Sequence, residues 1–214
     1  MTIFDGVGPY ALTSFVTLLV VIDPFALVPT IFAMLSDRDA GTRQAIMTRS
    51  LRIAFGIAIF FLIAGRFLLM GLGVSLNAFS ISGGVLLFLV ALPMLFGNRG
   101  GLMSAGEQEN PAADSDLAVF PIAIPLISGP GTLTTVLVLS AAAKGSMVKE
   151  AVLVATLALV FLITAVVLRS GAGLMAKLGE SGVHVVTRVL GIILAALAAQ
   201  FVLSGIAGFV GGLK

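Results

Sequence analysis

Residues 20–29 read Val20-Val21-Ile22-Asp23-Pro24-Phe25-Ala26-Leu27-Val28-Pro29, an apolar run interrupted by one acid and two prolines. Asp23 sits near the middle of an apolar stretch, about 10–35. A charged carboxylate at such a depth in a bilayer costs at least ~2.5 kcal/mol on insertion scales. Pro24 has no N–H, and its ring clashes with the carbonyl four residues earlier. The residue before a proline is also pushed away from helical dihedrals. Pro29 repeats the injury, so a continuous helix through this stretch is not expected.

A second stretch has the same character. Phe120-Pro121-Ile122-Ala123-Ile124-Pro125-Leu126-Ile127-Ser128-Gly129-Pro130-Gly131-Thr132 holds Pro121, Pro125 and Pro130 together with Gly129 and Gly131. That is too many helix breakers for a regular span, and glycine also permits dihedrals other residues avoid. Unwound backbone at membrane depth is tolerated only against protein or a wet cavity.

The rest of the chain supplies the membrane. Of 214 residues, 59% are hydrophobic and 10% charged, and the mean hydropathy is +1.18. Ordinary soluble domains carry about 25% charged residues, so a water-soluble enzyme and a disordered chain are both excluded. What remains is an all-α membrane protein. Cysteine is absent, which removes disulfides, thiolate metal sites and cysteine nucleophiles. His184 is the single histidine and the acids are scattered, so no metal site or cofactor is expected. The net charge of +2 and pI near 9.4 come from loop residues, and no basic run suggests nucleic acid. Met1-Thr2-Ile3-Phe4-Asp5 lacks a basic n-region, so the first apolar segment is expected to be a permanent span.

A span needs roughly 20 mostly apolar residues. Six transmembrane segments are expected, at 10–35, 50–71, 77–97, 118–143, 149–170 and 186–209. Residues 98–117 carry Glu107, Glu109, Asp114 and Asp116 and form a polar linker. Arg38, Arg43, Arg49, Arg52, Arg99, Arg169, Lys177 and Arg188 fall on one side, and Arg66, Lys144, Lys149 and Lys214 on the other. The richer side is expected to be cytoplasmic, with the linker on it and both termini outside.

The two halves, 1–97 and 118–214, resemble each other at an offset of 106 to 108 residues. Asp23-Pro24 aligns with Gly129-Pro130, Arg43-Gln44-Ala45 with Lys149-Glu150-Ala151, and Leu72-Gly73-Val74-Ser75 with Leu178-Gly179-Glu180-Ser181. After a two-residue shift Gly83 aligns with Gly191. Each half holds an odd number of spans, so the second copy runs through the bilayer in the opposite direction. Two inverted three-helix repeats with broken helices 1 and 4 are therefore expected, an architecture of secondary transporters. A merely duplicated six-helix bundle is the structural alternative.

The aligned breaks are expected to meet near the midplane. Half-helices starting at Pro24 and Pro130 present free N–H groups, and proline suits such a start. Helix N-termini attract anions such as a carboxylate, while an ionised Asp23 attracts an ammonium group. Ser128, Thr132 and freed carbonyls add hydrogen-bonding groups. Together these suit a small zwitterion. The expected substrate-binding set is Asp23, Pro24, Phe25, Ala26, Ser128, Gly129, Pro130, Gly131 and Thr132, with Asp23 also the coupling group. Competing structural roles exist: Asp23 can cap its own following half-helix, and Ser128 and Thr132 can satisfy broken backbone. Gly83, Gly84 and Gly191 are read as close-packing positions beside the site, and Gln200 as a helix contact.

At these residues the sequence resembles the MarC family of six-span membrane proteins, which includes small neutral amino-acid transporters. Asp23-Pro24 with Pro29 is similar to its first motif, Gly83-Gly84-Val85-Leu86-Leu87 to its third-span motif, and Pro125-Leu126-Ile127-Ser128-Gly129-Pro130-Gly131 to its fourth. Ala26 departs from the glycine common there, and Pro93 in the third segment is unusual. The resemblance implies an inner-membrane protein, transport of glycine- or alanine-sized amino acids, and a more distant kinship with LysE-type exporters.

The expected function is thus a secondary transporter of small neutral amino acids, coupled to H+ or Na+. A passive channel, or a LysE-like exporter of another small zwitterionic metabolite, is the alternative. An enzyme is disfavoured because no second acid or buried histidine accompanies Asp23. The expected partners are the amino acid, the coupling ion and the lipid bilayer, and self-association is compatible with the sequence.

Overall fold

The computed structural model describes residues 6–96, 114–143 and 145–211, and all regular structure in them is helical. The stretch from 97 to 113, most of the expected linker, lies outside the described residues.

Helix α1 (Val7–Ile22) and helix α2 (Pro24–Met34) flank Asp23 and together make a candidate span of 28 residues, Val7–Met34. The expected second interruption, at Pro29, does not occur, because α2 runs through it. Pro29 is the sixth residue of α2, past the first turn whose N–H groups lack intrahelical partners, and as a proline it removes one ladder bond, the one to the Phe25 carbonyl. A turn with one missing bond still closes when its neighbours pack. Thr30 Oγ1 donates to the Ala26 carbonyl at 3.1 Å beside the gap.

Helix α3 (Ala40–Gly71) starts well before the expected 50. Asp39 caps it, accepting from the Gly41 and Thr42 N–H groups at 2.8 and 3.1 Å. The arginines at 43, 49 and 52 end the apolar run but not the helix, since arginine, glutamine and methionine are good helix formers. At ~1.5 Å per residue its 32 residues outreach a hydrocarbon core of about 30 Å. Its first turns therefore project beyond that core.

Helix α4 (Leu76–Phe96) is continuous despite Pro93, which falls in its last turn. One helical turn, α5 (Asp114–Leu117), precedes a π-helical segment (Ala118–Ile127), and then comes α6 (Pro130–Ala142). The last two meet at a bend of 51°. Helix α7 (Met147–Arg169) is a plain span, and α8 (Gly171–Gly211) leaves helical dihedrals at Gly179 (φ 63°, ψ 174°) before its apolar part, Val185–Gly211. Among the described residues five helical stretches are long and apolar enough to cross a membrane, and the bent pair at 118–142 makes a sixth if it is one span.

The main core gathers α1, α2, α3, the π-helical segment, α6 and α7 around Tyr10, Leu18, Ile31, Ile122, Ile127 and Leu157. Tyr10 donates from its hydroxyl to the Leu139 carbonyl at 2.9 Å, tying α1 to α6. Helices α4 and α8 pack on each other through small residues. A Cβ on Gly84 would stand 2.7 Å from the Ala198 carbonyl oxygen, and one on Gly205 would stand 2.7 Å from that of Asn77. Ser80 donates to the Phe201 carbonyl across the same seam at 2.9 Å. Such close approach is how helices associate where lipid is as apolar as leucine.

Candidate functional site

The site is built on two breaks. At the first, Asp23 is at once the residue after α1 and the cap of α2, with φ 46° and ψ 68°. It is the one non-glycine residue with positive φ among those described. Pro24 disfavours right-handed helical dihedrals at its predecessor, and a short polar side chain tolerates the left-handed region better than most. The hydrogen-bond ladder continues through the break: the Asp23 N–H donates to Leu19 at 3.0 Å, and its carbonyl accepts from Leu27 at 3.2 Å. Oδ1 of Asp23 accepts from the Ala26 N–H at 3.2 Å, the capping role recognised in the sequence. Oδ2 is buried and has no hydrogen-bond partner among the described residues. The residue is 6% exposed, and this oxygen is withdrawn from solvent.

At the second break the sequence dictates a stepwise unwinding. Phe120 (φ −128°, ψ 128°) and Ile124 (φ −131°, ψ 123°) are extended, each because a proline follows. Ser128 N–H donates to the Ala123 carbonyl at 2.9 Å, the chain passes Gly129, and α6 begins at Pro130. Gly129 and Gly131 do not take the special dihedrals expected of them, since neither has a positive φ. Space is what requires them: a Cβ at 129 would collide with the Pro125 carbonyl oxygen, and one at 131 with the Leu87 side chain. Because Gly129 has no side chain, nothing at the cap position closes the N-terminus of α6. That N-terminus keeps its attraction for negative charge.

The hydroxyls of the second break are engaged. Ser128 Oγ donates to the Ala54 carbonyl of α3 at 2.7 Å, and Thr132 Oγ1 to the Ile127 carbonyl at 2.8 Å. Both satisfy backbone that the unwinding disturbs, and both keep lone pairs that can accept. Sequence reasoning missed Thr134. It is fully buried, its Oγ1 is without a partner among the described residues, and it packs face on against Gly83. The run Thr132-Leu133-Thr134-Thr135 at the head of an apolar helix marks the region but does not single out Thr134.

Shared neighbours join the two breaks. Val20, one turn before Asp23, belongs to the same buried cluster as Leu87 of α4, and Leu87 is the side chain against Gly131. Pro24, Ser128, Gly129, Gly131 and Thr132 are buried, and Ala26 is half-buried. Phe25 and Pro130 are exposed, so their side chains lie on the outside of the first helical turns, away from the buried set. Gly84 faces Val202 and Ala198 of α8, and Gly191 faces Met94 and Leu95 of α4. Gln200 is exposed and donates to Ser204 of its own helix at 3.0 Å, and among the described residues it makes no interhelical hydrogen bond.

Comparison with known proteins agrees with the membrane architecture. A family model described as MarC family integral membrane protein matches residues 9–210. A UPF0056 membrane protein of Aquifex aeolicus is 34% identical over 96% of both chains. The UPF0056 inner membrane protein YhgN of Escherichia coli K12 is 36% identical, covering 91% of this chain and 95% of its own. A UPF0056 membrane protein of Methanocaldococcus jannaschii is 31% identical over 93% and 97%. No solved structure matches.

Proposed function

Since the chain belongs to the MarC family of integral membrane proteins, we propose that it is a secondary transporter of small neutral amino acids, of glycine or alanine size. What supports this reading is two unlike ends that share buried neighbours, Val20 and Leu87. One is a buried carboxylate with an unpartnered oxygen at Asp23, and the other is an uncapped helix N-terminus at Pro130. The acid takes the ammonium group and the α6 N–H groups take the carboxylate. Side chains crowd the head of α6, with Leu87 packed on Gly131 and Thr134 on Gly83. Selection for small substrates follows from that crowding.

The halves act as inverted repeats. Helices α2 and α6 start at Pro24 and Pro130, and the positive-φ glycines Gly73 and Gly179 stand at the same 106-residue offset, which supports this. Helices α4 and α8, the third helix of each half, pack along the seam described above. Rocking one half against the other then exchanges access to the midplane. Asp23 also carries the coupling ion, H+ by protonation or Na+ by coordination with the freed carbonyls. The arginine-rich side is cytoplasmic and includes the 98–117 linker, and both termini face outward.

Thermal unfolding of the purified protein tests the binding step. A ligand that binds only the folded state at 100 times its Kd adds about 2.7 kcal/mol. Glycine and alanine are expected to raise the midpoint, and glutamate and leucine are not. No shift with any neutral amino acid would overturn the proposal.

A further inference from the structure

A cleft of about 290 Å3 opens between α3 and α7, and no residue of either break lines it. Gln44, Arg52 and Arg169 line its polar end, and Leu51, Phe55 and Phe161 its floor. The lining follows from helix periodicity. Gln44, Leu51, Arg52 and Phe55 fall on one face of α3, and Phe161 and Arg169 are two turns apart on α7. The two helices run in opposite senses, so the start of α3 and the end of α7 bring their arginines to one membrane surface. Phe55 and Phe161 meet edge to face at 5.3 Å and close the floor.

Both arginines are exposed, and neither guanidinium makes an ion pair or side-chain hydrogen bond among the described residues. The Thr48 hydroxyl is already committed, donating to the Gln44 carbonyl at 2.8 Å. Two planar cations therefore face an open space whose other end is aromatic and aliphatic. Guanidinium groups match phosphate oxygens two by two. A soluble anion would leave the apolar floor uncovered. A zwitterionic headgroup would bring its own cation to the arginines. The geometry points to a binding site for an anionic phospholipid, its phosphate at Arg52 and Arg169 and an acyl chain along Leu51, Phe55 and Phe161. Basic pockets between membrane helices are a recurring mode of headgroup capture.

The site is tested on the full-length protein by native mass spectrometry in detergent, titrated with phosphatidylglycerol or with phosphatidylcholine of the same chains. Phosphatidylglycerol is expected to be retained preferentially. Arg52→Gln and Arg169→Gln each lower that preference about fivefold, and the double variant abolishes it. Arg66→Gln, at the opposite end of α3, leaves it unchanged. Should the double variant not fold, the paired Arg52→Lys and Arg169→Lys variant keeps the charge but loses the fork, and its preference falls between wild type and the single variants. Equal retention of the two lipids by the wild type overturns the proposal, as does a preference that survives in the folded double variant. Glycerol 3-phosphate competing as well as intact lipid also overturns it, because the floor would then contribute nothing.

Discussion

Asp23 performs two tasks with one side chain, and they separate by substitution. Oδ1 caps α2 through Ala26, while Oδ2 faces no partner among the described residues. Asparagine retains a capping oxygen and tolerates the left-handed backbone, whereas alanine does neither. Asp23→Ala is therefore expected to be less stable than Asp23→Asn by about 1–2 kcal/mol, measured by chemical unfolding in detergent. Equal stability of the two would contradict the geometry at residue 23. The departure from helical dihedrals here is legible in the sequence, because Pro24 restricts its predecessor whatever surrounds it. Thr134 is not legible in the same way. Its unpartnered hydroxyl is a property of how α4 and α6 meet, and that meeting depends on Gly83 fifty residues away in sequence.

At the scale of elements, the packing of α4 on α8 rests on backbone-to-backbone contact. Gly84→Ala would place a methyl group 2.7 Å from the Ala198 carbonyl and 3.0 Å from the Val202 N–H nitrogen. Neither can swing aside as a side chain could. A loss of about 1–3 kcal/mol is expected, read as a lowered unfolding midpoint. Gly56→Ala on α3 meets nothing within 4 Å and is expected to be neutral or stabilising. The cap of α3 gives a pH-dependent counterpart. The Thr42 hydroxyl, followed by the Thr42 and Gly41 N–H groups, holds the Asp39 carboxyl below its ordinary value of 3.8. A depressed folded value stabilises above the unfolded one and is lost as pH falls through the folded one. The stability difference between wild type and Asp39→Ala should thus be full at neutral pH and shrink in strong acid, where only the weaker cap of a neutral carboxyl remains. A difference unchanged from pH 7 to pH 2 would contradict the cap. Element boundaries show the limit of sequence reading. Hydropathy stops at the arginines near residue 50, whereas the α3 hydrogen bonds continue back to Asp39. A proline such as Pro29 looks like a break, yet it costs a helix one bond where packing holds the turn together.

For the whole molecule, the membrane class and the all-helical fold follow from composition, because so few charges cannot clothe a soluble surface. The unwound backbone before Gly129 follows from its prolines. The 51° bend between Ala118–Ile127 and Pro130–Ala142 does not, since it sits among tertiary contacts, Ser128 with Ala54 of α3 and Gly131 with Leu87 of α4, that local sequence does not reveal. The proposed rocking of one half against the other would have to rearrange those contacts. Gly131→Ala is accordingly expected to lower both amino-acid-dependent stabilisation and uptake, because its methyl group meets Leu87 at the proposed site. The most direct test of the account is gradient-driven uptake of labelled glycine and alanine by proteoliposomes, wild type beside Asp23→Asn. The account predicts saturable accumulation above the outside concentration in the wild type, abolished by collapsing the H+ or Na+ gradient. It further predicts a fall of about tenfold or more in Asp23→Asn, equivalent to about 1.4 kcal/mol, without loss of folding. Unsaturable downhill equilibration by the wild type, or undiminished accumulation by Asp23→Asn, would contradict it.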